Sequence, residues 1–194
     1  MGAVVVEADP TDEELCRRIA RRDPPAFDML VERYQQRAWR FARSMLGNDP
    51  DANDVSQDAF IRLYESADRF DGRSRFSTWF NRILVNLCID HYRRNRWWRK
   101  FIPLSDPDDP EAPIIDPTSP EPGPELEAIR GAQIGQLREA LGHLSPNQRA
   151  ALLLHVHEGY TSREIAAVLN CSDNTARVHV HRAIAQLKKE LKKD

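Results

Sequence analysis

Apolar residues recur at three- and four-residue steps along most of the chain, which is the spacing of helices that bury one face. In the first half, this pattern predicts helices that begin after Thr11, near Ala26 and at Asp49 or Asp51, and Gly47 is a typical end for the second of them. No segment alternates apolar and polar residues as a half-buried strand does. The pattern therefore predicts an all-α fold.

The second half of the chain carries strong signals for helix ends. A helix is predicted over residues 126–141. Ser145 followed by Pro146 is typical of the start of another helix, because proline suits the first helical position, and Gly159 is typical of its end.

A short helix and a long basic helix come next. Thr161 with Glu164 three residues later forms a capping box, and Asn170 ends the short helix in the left-handed conformation. Ser172 starts a last helix that runs to about residue 191. Two helices joined by a tight turn, the second long and basic, predict a helix-turn-helix. The predicted buried face of the last helix consists of Ala176, Val180, Ala183, Ile184, Leu187 and Leu191.

Charge is segregated along the chain, although the net charge is only −2. Residues 72–100 carry eight Lys and Arg against one acid, whereas residues 105–127 carry eight acids and neither Lys nor Arg. Eight prolines between residues 103 and 124, seven of them inside the acidic stretch, exclude helix interiors and predict a linker. If extended at about 3.1 Å per residue, it spans on the order of 70 Å. The predicted division is an N-terminal domain (1–101), a flexible acidic linker (102–124) and a C-terminal domain (125–194).

The long helix after the Asp71-Gly72 turn interleaves aromatic residues with arginines. One face, with Phe76, Phe80 and Leu84, is predicted to pack into the helical bundle. A neighbouring face is polar, and its arginines suit phosphates while Asn and Asp suit base edges. Exposed aromatics stack on unpaired bases, at about 1–3 kcal/mol per base. This face therefore suits DNA that has been opened, although for Trp79 a core position is at least as consistent as stacking.

The exposed side of the last helix has the composition of a DNA-reading surface. A recognition helix presents its N-terminal residues to base edges in the major groove. Arg177 suits a bidentate contact with guanine and Asn174 suits adenine, whereas Arg182 and Lys188 suit phosphates. The alternative is a solvated face on a small helical bundle.

Several classes of protein are disfavoured by the sequence. No apolar run approaches the roughly 20 residues of a membrane span, and no basic segment precedes the apolar residues at the start. Three widely spaced cysteines fit a reducing cytoplasm rather than a disulfide framework. No nucleophile, phosphate-loop or metal motif suggests an enzyme, a cofactor or a small-molecule substrate. His155 and His157 point apart on a helix and do not chelate as an i, i+4 pair does, but together with Cys171 they leave a metal or redox role open.

Four segments, in order, resemble the extracytoplasmic-function branch of bacterial RNA polymerase sigma factors. They are AFDMLVERY (26–34), DVSQDAFIRLYESADRFDG (54–72), FSTWFNRILVNLCIDHYRR (76–94) and LSPNQRAALLLHVHEGYTSREIAAVL (144–169). The resemblance covers nearly the whole chain. It implies a protein that binds core RNA polymerase and directs it to promoter DNA, while the polymerase supplies the catalysis.

The resemblance, together with the chemistry of the residues themselves, assigns residues to three surfaces. The core-polymerase-binding positions are Asp54, Gln57, Asp58, Phe60 and Leu63, whose acids would otherwise belong to a solvated helix face. The positions expected to capture the opened −10 element are Phe70, Arg73, Arg75, Trp79, Asn86, Asp90, Arg93, Arg94 and Trp97. The positions expected at the duplex −35 element are Asn174, Arg177, Val178, His181, Arg182 and Lys188.

Further expectations follow from the resemblance. The acidic linker is expected to thread the polymerase active-site cleft, and an anti-sigma factor is expected to bind the chain. The linker would let the two domains rearrange between a free and a polymerase-bound state. The chain departs from the family at NTARVH (174–179), where Val178 replaces a small polar residue, so relatives do not predict its promoter sequence.

Two other functions compete with this interpretation. An autonomous helix-turn-helix regulator explains residues 125–194 but not the aromatic and basic helix or the DVSQDAF segment. A helical scaffold for an acidic protein predicts no DNA affinity that falls steeply with salt, as phosphate contacts require.

Overall fold

The computed structural model describes residues 9–101, 136–137 and 140–192, with side chains for all of these except 95–101. Every regular element in this part of the chain is helical, as the sequence predicts. The linker 102–124 lies outside the described residues. So does most of the helix predicted over 126–141, of which 136–137 and 140–141 are seen as helix.

Four helices and one short turn form the N-terminal domain. The helix α1 starts after Thr11, whose capping box with Glu14 is confirmed. The next helix begins two residues before the predicted start, because Pro24 and Pro25 occupy its first turn, and it ends at Gly47 in the left-handed conformation (φ 92°). The elements are α1 (Asp12–Ala20), α2 (Pro24–Leu46), α3 (Asp49–Ser66), a 3-10 turn (Ala67–Arg69) and α4 (Phe76–Phe101).

Three further helices lie in the described range 143–192 of the C-terminal domain, and the predicted caps at Ser145, Thr161 and Ser172 are all confirmed. Asn170 adopts the left-handed conformation (φ 52°) and separates the two helices of the helix-turn-helix. The helices are α5 (Pro146–Glu158), α6 (Ser162–Leu169) and α7 (Asp173–Glu190).

The predicted buried face of α7 is correct except at its end. Ala176 and Ala183 are buried, and Val180, Ile184 and Leu187 pack partly against the core. Leu191 is 48% exposed, so its assignment to the buried face was wrong. The helix ends at Glu190, and Leu191 follows the last helical residue rather than extending the packed face.

Aromatic rings fill the centre of the N-terminal domain. Phe80 on α4 is almost fully buried, and its ring lies 5.1 Å from Phe60 on α3 and 5.5 Å from Tyr34 on α2, between ring centroids. Phe76 is stacked on Phe80 at 6.0 Å. One side chain therefore joins three helices, which fixes how α4 presents its outer face.

Removing the Phe80 ring is expected to lower the free energy of unfolding by about 3–5 kcal/mol, because Phe80→Ala leaves a cavity that the surrounding rings fill only in part. Urea denaturation of the full chain measures this change. Ile61→Ala is the control, because Ile61 is 54% exposed and surface changes usually stay within about 0.5 kcal/mol. Equal effects of the two substitutions would contradict the described core.

The two domains pack against each other, and one buried apolar cluster runs through both. It contains Phe80 and Leu84 of the N-terminal domain together with Leu154 and Ile165 of the C-terminal domain. A smaller cluster around Leu152 lies within the C-terminal domain. Among the described residues, no helix combines the length and the hydropathy that a bilayer crossing requires.

Candidate nucleic-acid and polymerase interfaces

The polar residues assigned to polymerase docking lie on the outer face of α3. The helix is fixed at its start by Asn48, whose side-chain oxygen accepts the backbone N–H of Asp51 at 2.8 Å. Asp54, Gln57 and Asp58 are exposed, so this face is free to meet a partner.

The two apolar residues assigned to the same surface are placed differently. Phe60 is 8% exposed and packs against Phe80, and Leu63 is fully buried. In this structure both side chains hold α3 against the core, and Leu63 has no surface to offer a partner. Phe60 and Leu63 therefore lie beneath the predicted docking face, whereas Asp54, Gln57 and Asp58 are exposed on it.

A groove of about 660 Å³ beside this face contains residues that the sequence analysis did not assign. It runs between α2 and α3 and is lined by Gln57 and Phe60 on one side and by Gln35 and Trp39 on the other. Trp39 is only partly buried. Its position on the same helix face as Gln35 and Gln36 was the available signal, because polar neighbours are unusual around a core tryptophan.

The structure brings polymerase-docking and −10 candidates into one cleft. This cleft, of about 730 Å³, lies between α3 and α4. Asp58 lines it from α3, and Asp90, Arg93 and Arg94 line it from α4. Ile61, which is exposed, adds an apolar side chain to the lining of this cleft, and it was not among the residues predicted from the sequence. Contacts with polymerase and with DNA would therefore lie side by side on this domain.

The outer face of α4 is polar and open along its described length. Asn86, Asp90, Arg93 and Arg94 are all exposed, while Cys88 and Ile89, which lie between them in the sequence, are buried. Trp97 belongs to the part of α4 whose side chains lie outside the described residues, so its expected role stays a prediction. The four polar residues leave α4 with a continuous surface that the core does not use.

The loop before α4 combines a packed aromatic base with exposed arginines. The Phe70 ring lies 5.4 Å from Trp79 and 6.1 Å from Phe76, between ring centroids, and both Phe70 and Trp79 are partly buried. The Trp79 ring therefore packs against Phe70 and Phe76. Arg73 and Arg75 have side chains that are 89% and 81% exposed, so the loop offers positive charge on a fixed base.

The recognition helix α7 presents most of its assigned residues to solvent. Asn174, Arg177, His181 and Arg182 are exposed, and Val178 is partly exposed among them. The sixth assigned residue, Lys188, is exposed two turns further on.

Arg177 already has a partner within its own helix. Its Nη2 lies 3.2 Å from the Asp173 carboxylate, one turn earlier. Both side chains are exposed, and ion pairs of this kind contribute little stability. Arg177 can therefore exchange Asp173 for a DNA partner at small cost.

The histidine and cysteine residues of the C-terminal domain do not assemble into a reactive site. In the part of the chain that the structure describes, no three His, Cys, Asp or Glu side chains are placed to share a metal ion. His155 Nδ1 lies 3.1 Å from the carbonyl oxygen of Tyr160, so it takes part in a local helix-end contact. Burial raises the pKa of the Cys171 thiol, which keeps it in the less reactive protonated form.

Two histidines of the C-terminal domain, one exposed and one half-buried, make the fold sensitive to acid. Partial desolvation lowers the pKa of the exposed His157 and of the half-buried His179, and the positive charges of Arg40 and Arg182 lower these pKa values further. The unfolded chain binds protons near the ordinary value of 6.5, whereas the folded imidazoles resist charging. Stability is therefore fully present above pH 6.5 and falls as the pH drops below it.

We expect the urea midpoint of the full chain to fall between pH 7.5 and pH 5.5. This window isolates histidines from ordinary carboxyl groups, which titrate near pH 4. His157→Gln is expected to make the fall shallower, because one of the two imidazoles with a lowered pKa is gone. A midpoint that drops equally in the wild type and in the variant would contradict the assignment to His157.

Comparison with known proteins supports the whole architecture. The Sigma-70 region 2 family matches residues 30–98, which include α3 and most of α4, and the Sigma-70 region 4 family matches residues 134–187, which include the helix-turn-helix. The RNA polymerase sigma-H factor of Pseudomonas aeruginosa is 33% identical over 187 residues, covering 93% of each chain. The ECF RNA polymerase sigma-E factor of Escherichia coli K12 is 33% identical over 181 residues, covering 89% of this chain and 90% of the relative.

Two solved structures show the same fold. One is CnrH in complex with the cytosolic domain of CnrY, with a TM-score of 0.68, 27% identity and coverage of 94% of this chain and 98% of CnrH. The other is the sigma factor RpoE in complex with the anti-sigma factor NepR from Bartonella quintana, with a TM-score of 0.61, 26% identity and coverage of 87% and 98%. Since curated relatives match nearly end to end and both sigma regions are present in order, this chain belongs to the extracytoplasmic-function sigma factors of bacterial RNA polymerase.

Proposed function

We propose that the two exposed DNA-facing surfaces divide promoter recognition between them. The polar face of α4 and the loop before it capture the −10 strand as it opens, and the exposed face of α7 reads the −35 duplex. The outer face of α3 docks on core polymerase, which supplies the catalysis. The chain acts in the cytoplasm, where this polymerase transcribes the chromosome.

The observation that carries this proposal is the exposed polar face of α4. Asn86, Asp90, Arg93 and Arg94 lie outside a fully formed aromatic core, so stability does not explain them. Flipping bases out of a duplex costs a few kcal/mol, and a prearranged surface of arginine and amide groups recovers part of that cost. A regulator that binds only duplex DNA does not need a surface that holds unpaired bases.

Two further parts of the proposal concern the linker and a regulator. Residues 102–124 join an N-terminal domain (1–101) to a C-terminal domain (125–194), and their acids would mimic nucleic-acid charge in the polymerase cleft. An anti-sigma factor would bind the chain and hold it inactive. The RpoE–NepR and CnrH–CnrY complexes support this, because both relatives were solved with a bound partner.

Run-off transcription tests the proposal. Core polymerase with and without the purified chain is given fragments of the source genome, and the start sites are mapped. We expect discrete start sites only when both proteins are present. If the chain alone binds the same fragments tightly and core polymerase changes nothing, it acts as an autonomous regulator and the proposal is wrong.

A further inference from the structure

The recognition helix α7 carries a valine that its own domain does not use for packing. Val180, Ile184 and Leu187 are partly buried and pack against the two apolar clusters. Val178 is also only partly exposed, yet among the described residues it packs against neither cluster. The stability of the described fold therefore does not explain why this position is apolar.

Val178 lies on the side of α7 opposite its buried residues. Ala176 and Ala183 are fully buried. With 3.6 residues per turn, Val178 is rotated about the helix axis by roughly 200° from Ala176 and roughly 140° from Ala183. Asn174 and Arg182, each one turn away from Val178, are exposed on the same side. The apolar side chain therefore lies in the middle of the polar face assigned to −35 DNA.

The start of α7 is held in place, which fixes the position of Val178. Ser172 Oγ accepts the backbone N–H of Thr175 at 3.1 Å and lies 2.8 Å from the Thr175 hydroxyl. Valine is branched at Cβ and keeps one strongly preferred rotamer in a helix. Its two methyl groups therefore occupy one position relative to the helix, and a contact with DNA costs little side-chain entropy.

The surroundings of Val178 indicate which contact it makes. Single apolar residues are common on protein surfaces, so exposure alone assigns no function. Here, however, Arg177 and His181 flank it on the same face with exposed hydrogen-bonding groups. If this face enters the major groove as proposed, Val178 meets the edge of a base together with them.

The chemistry of the major groove selects the base. Thymine presents an apolar group there, its C5-methyl group, whereas the edges of guanine, adenine and cytosine present hydrogen-bonding groups. Against those edges, valine displaces water without replacing its hydrogen bonds, which is unfavourable. Against thymine, two apolar surfaces are buried together, which is favourable. A T·A pair is therefore preferred for both reasons.

We propose that Val178 is a specificity-determining residue, which selects a thymine in the −35 element by packing on its C5-methyl group. The inference rests on the proposed function of α7 and adds the base that one position of the promoter requires. Contacts with phosphates supply affinity for any sequence, whereas Val178 contributes selectivity at one base pair.

The test removes one methyl group from the DNA and then the methyl groups of Val178. Start sites mapped with the wild-type holoenzyme locate the −35 element. Each of its thymines is replaced in turn by deoxyuridine, which lacks only the C5-methyl group, and holoenzyme binding is measured by competition. At one thymine, we expect the wild type to bind roughly four-fold more weakly after the replacement, as burial of one methyl group predicts. Val178→Ala is expected to bind thymine and deoxyuridine equally at that position.

Two further variants control for changes that are unrelated to the methyl contact. Leu191→Ala truncates another apolar residue, which is 48% exposed just beyond the end of α7 and outside the assigned surfaces. It is expected to keep the four-fold sensitivity of the wild type. Val178→Thr keeps the shape of valine and adds a hydroxyl group that can bond to any base edge. It is expected to narrow the preference for T·A over the other three base pairs at the same position.

Two results would overturn this inference while leaving the proposed function in place. One is an equal sensitivity to every thymine methyl group in the wild type and in Val178→Ala. The other is a −35 element in which no thymine is required. If the wild-type holoenzyme gives no start sites and binds no −35 duplex, the proposed function itself is wrong, and the role of Val178 is wrong with it.

Discussion

Replacing Arg93 and Arg94 together by alanine is expected to lower promoter opening roughly 100-fold while leaving the fold intact. Both side chains are exposed on α4 and line the cleft between α3 and α4. Hydrogen bonds to charged groups contribute about 1.5–3 kcal/mol each, so two lost contacts with the opened strand, taken at the lower end of this range, amount to about this factor. Circular dichroism is expected to be unchanged, because neither arginine is part of the core.

Salt dependence separates this effect from a general loss of binding. Each phosphate contact with a single strand contributes about 0.7 to the slope of log K against log salt. The slope for the double variant is therefore expected to be shallower by about 1.4. Arg21→Ala serves as the control, because Arg21 is an exposed arginine that belongs to none of the assigned surfaces. An unchanged slope together with normal opening would show that the α4 face does not hold DNA.

Arg177→Ala is expected to weaken binding to the −35 duplex by about 10–100-fold and to relax the preference for one base pair. The residue is exposed near the start of α7, where a recognition helix meets base edges. A bidentate contact with a base contributes about 1–3 kcal/mol of discrimination. The ion pair with Asp173 is exposed and offers little resistance to this contact.

Lys188→Ala provides the comparison for Arg177. A phosphate contact is expected to weaken binding equally for all sequences and to lower the salt slope by about 0.9 for duplex DNA. Competition among holoenzymes for a set of −35 variants measures both substitutions. If Arg177→Ala weakened every −35 variant equally, the residue would be a phosphate contact and not a base reader.

Local signals made most of the helix ends predictable. Thr11, Ser145, Thr161 and Ser172 cap their helices as predicted, because a cap depends on residues within one turn. The helix end at Asn170 was predictable for the same reason, because it depends only on the left-handed backbone conformation of that residue. The exposed faces of α4 and α7 were also predictable. The apolar spacing identifies the buried face of each helix, and the remaining residues form the exposed face.

Tertiary packing was harder to predict. Leu63 was assigned to a surface through the family pattern, yet it is buried; Trp79, for which a core position and a stacking role both stayed open, packs on Phe70. Trp39 was missed because α2 was analysed for its apolar face alone. The contacts between the two domains could not be predicted from neighbouring residues. Arg82 and Arg149 donate hydrogen bonds to backbone carbonyl oxygens, which any residue supplies.

The most direct test of the account places 2-aminopurine in the non-template strand of the −10 element, at a start site mapped by run-off transcription. This base brightens when it unstacks. The account predicts a rise in fluorescence only with the chain and core polymerase together, a rise lost in the Arg93→Ala/Arg94→Ala variant. A full rise in that variant, or none with the wild-type holoenzyme, would contradict the claim that α4 captures the opened strand.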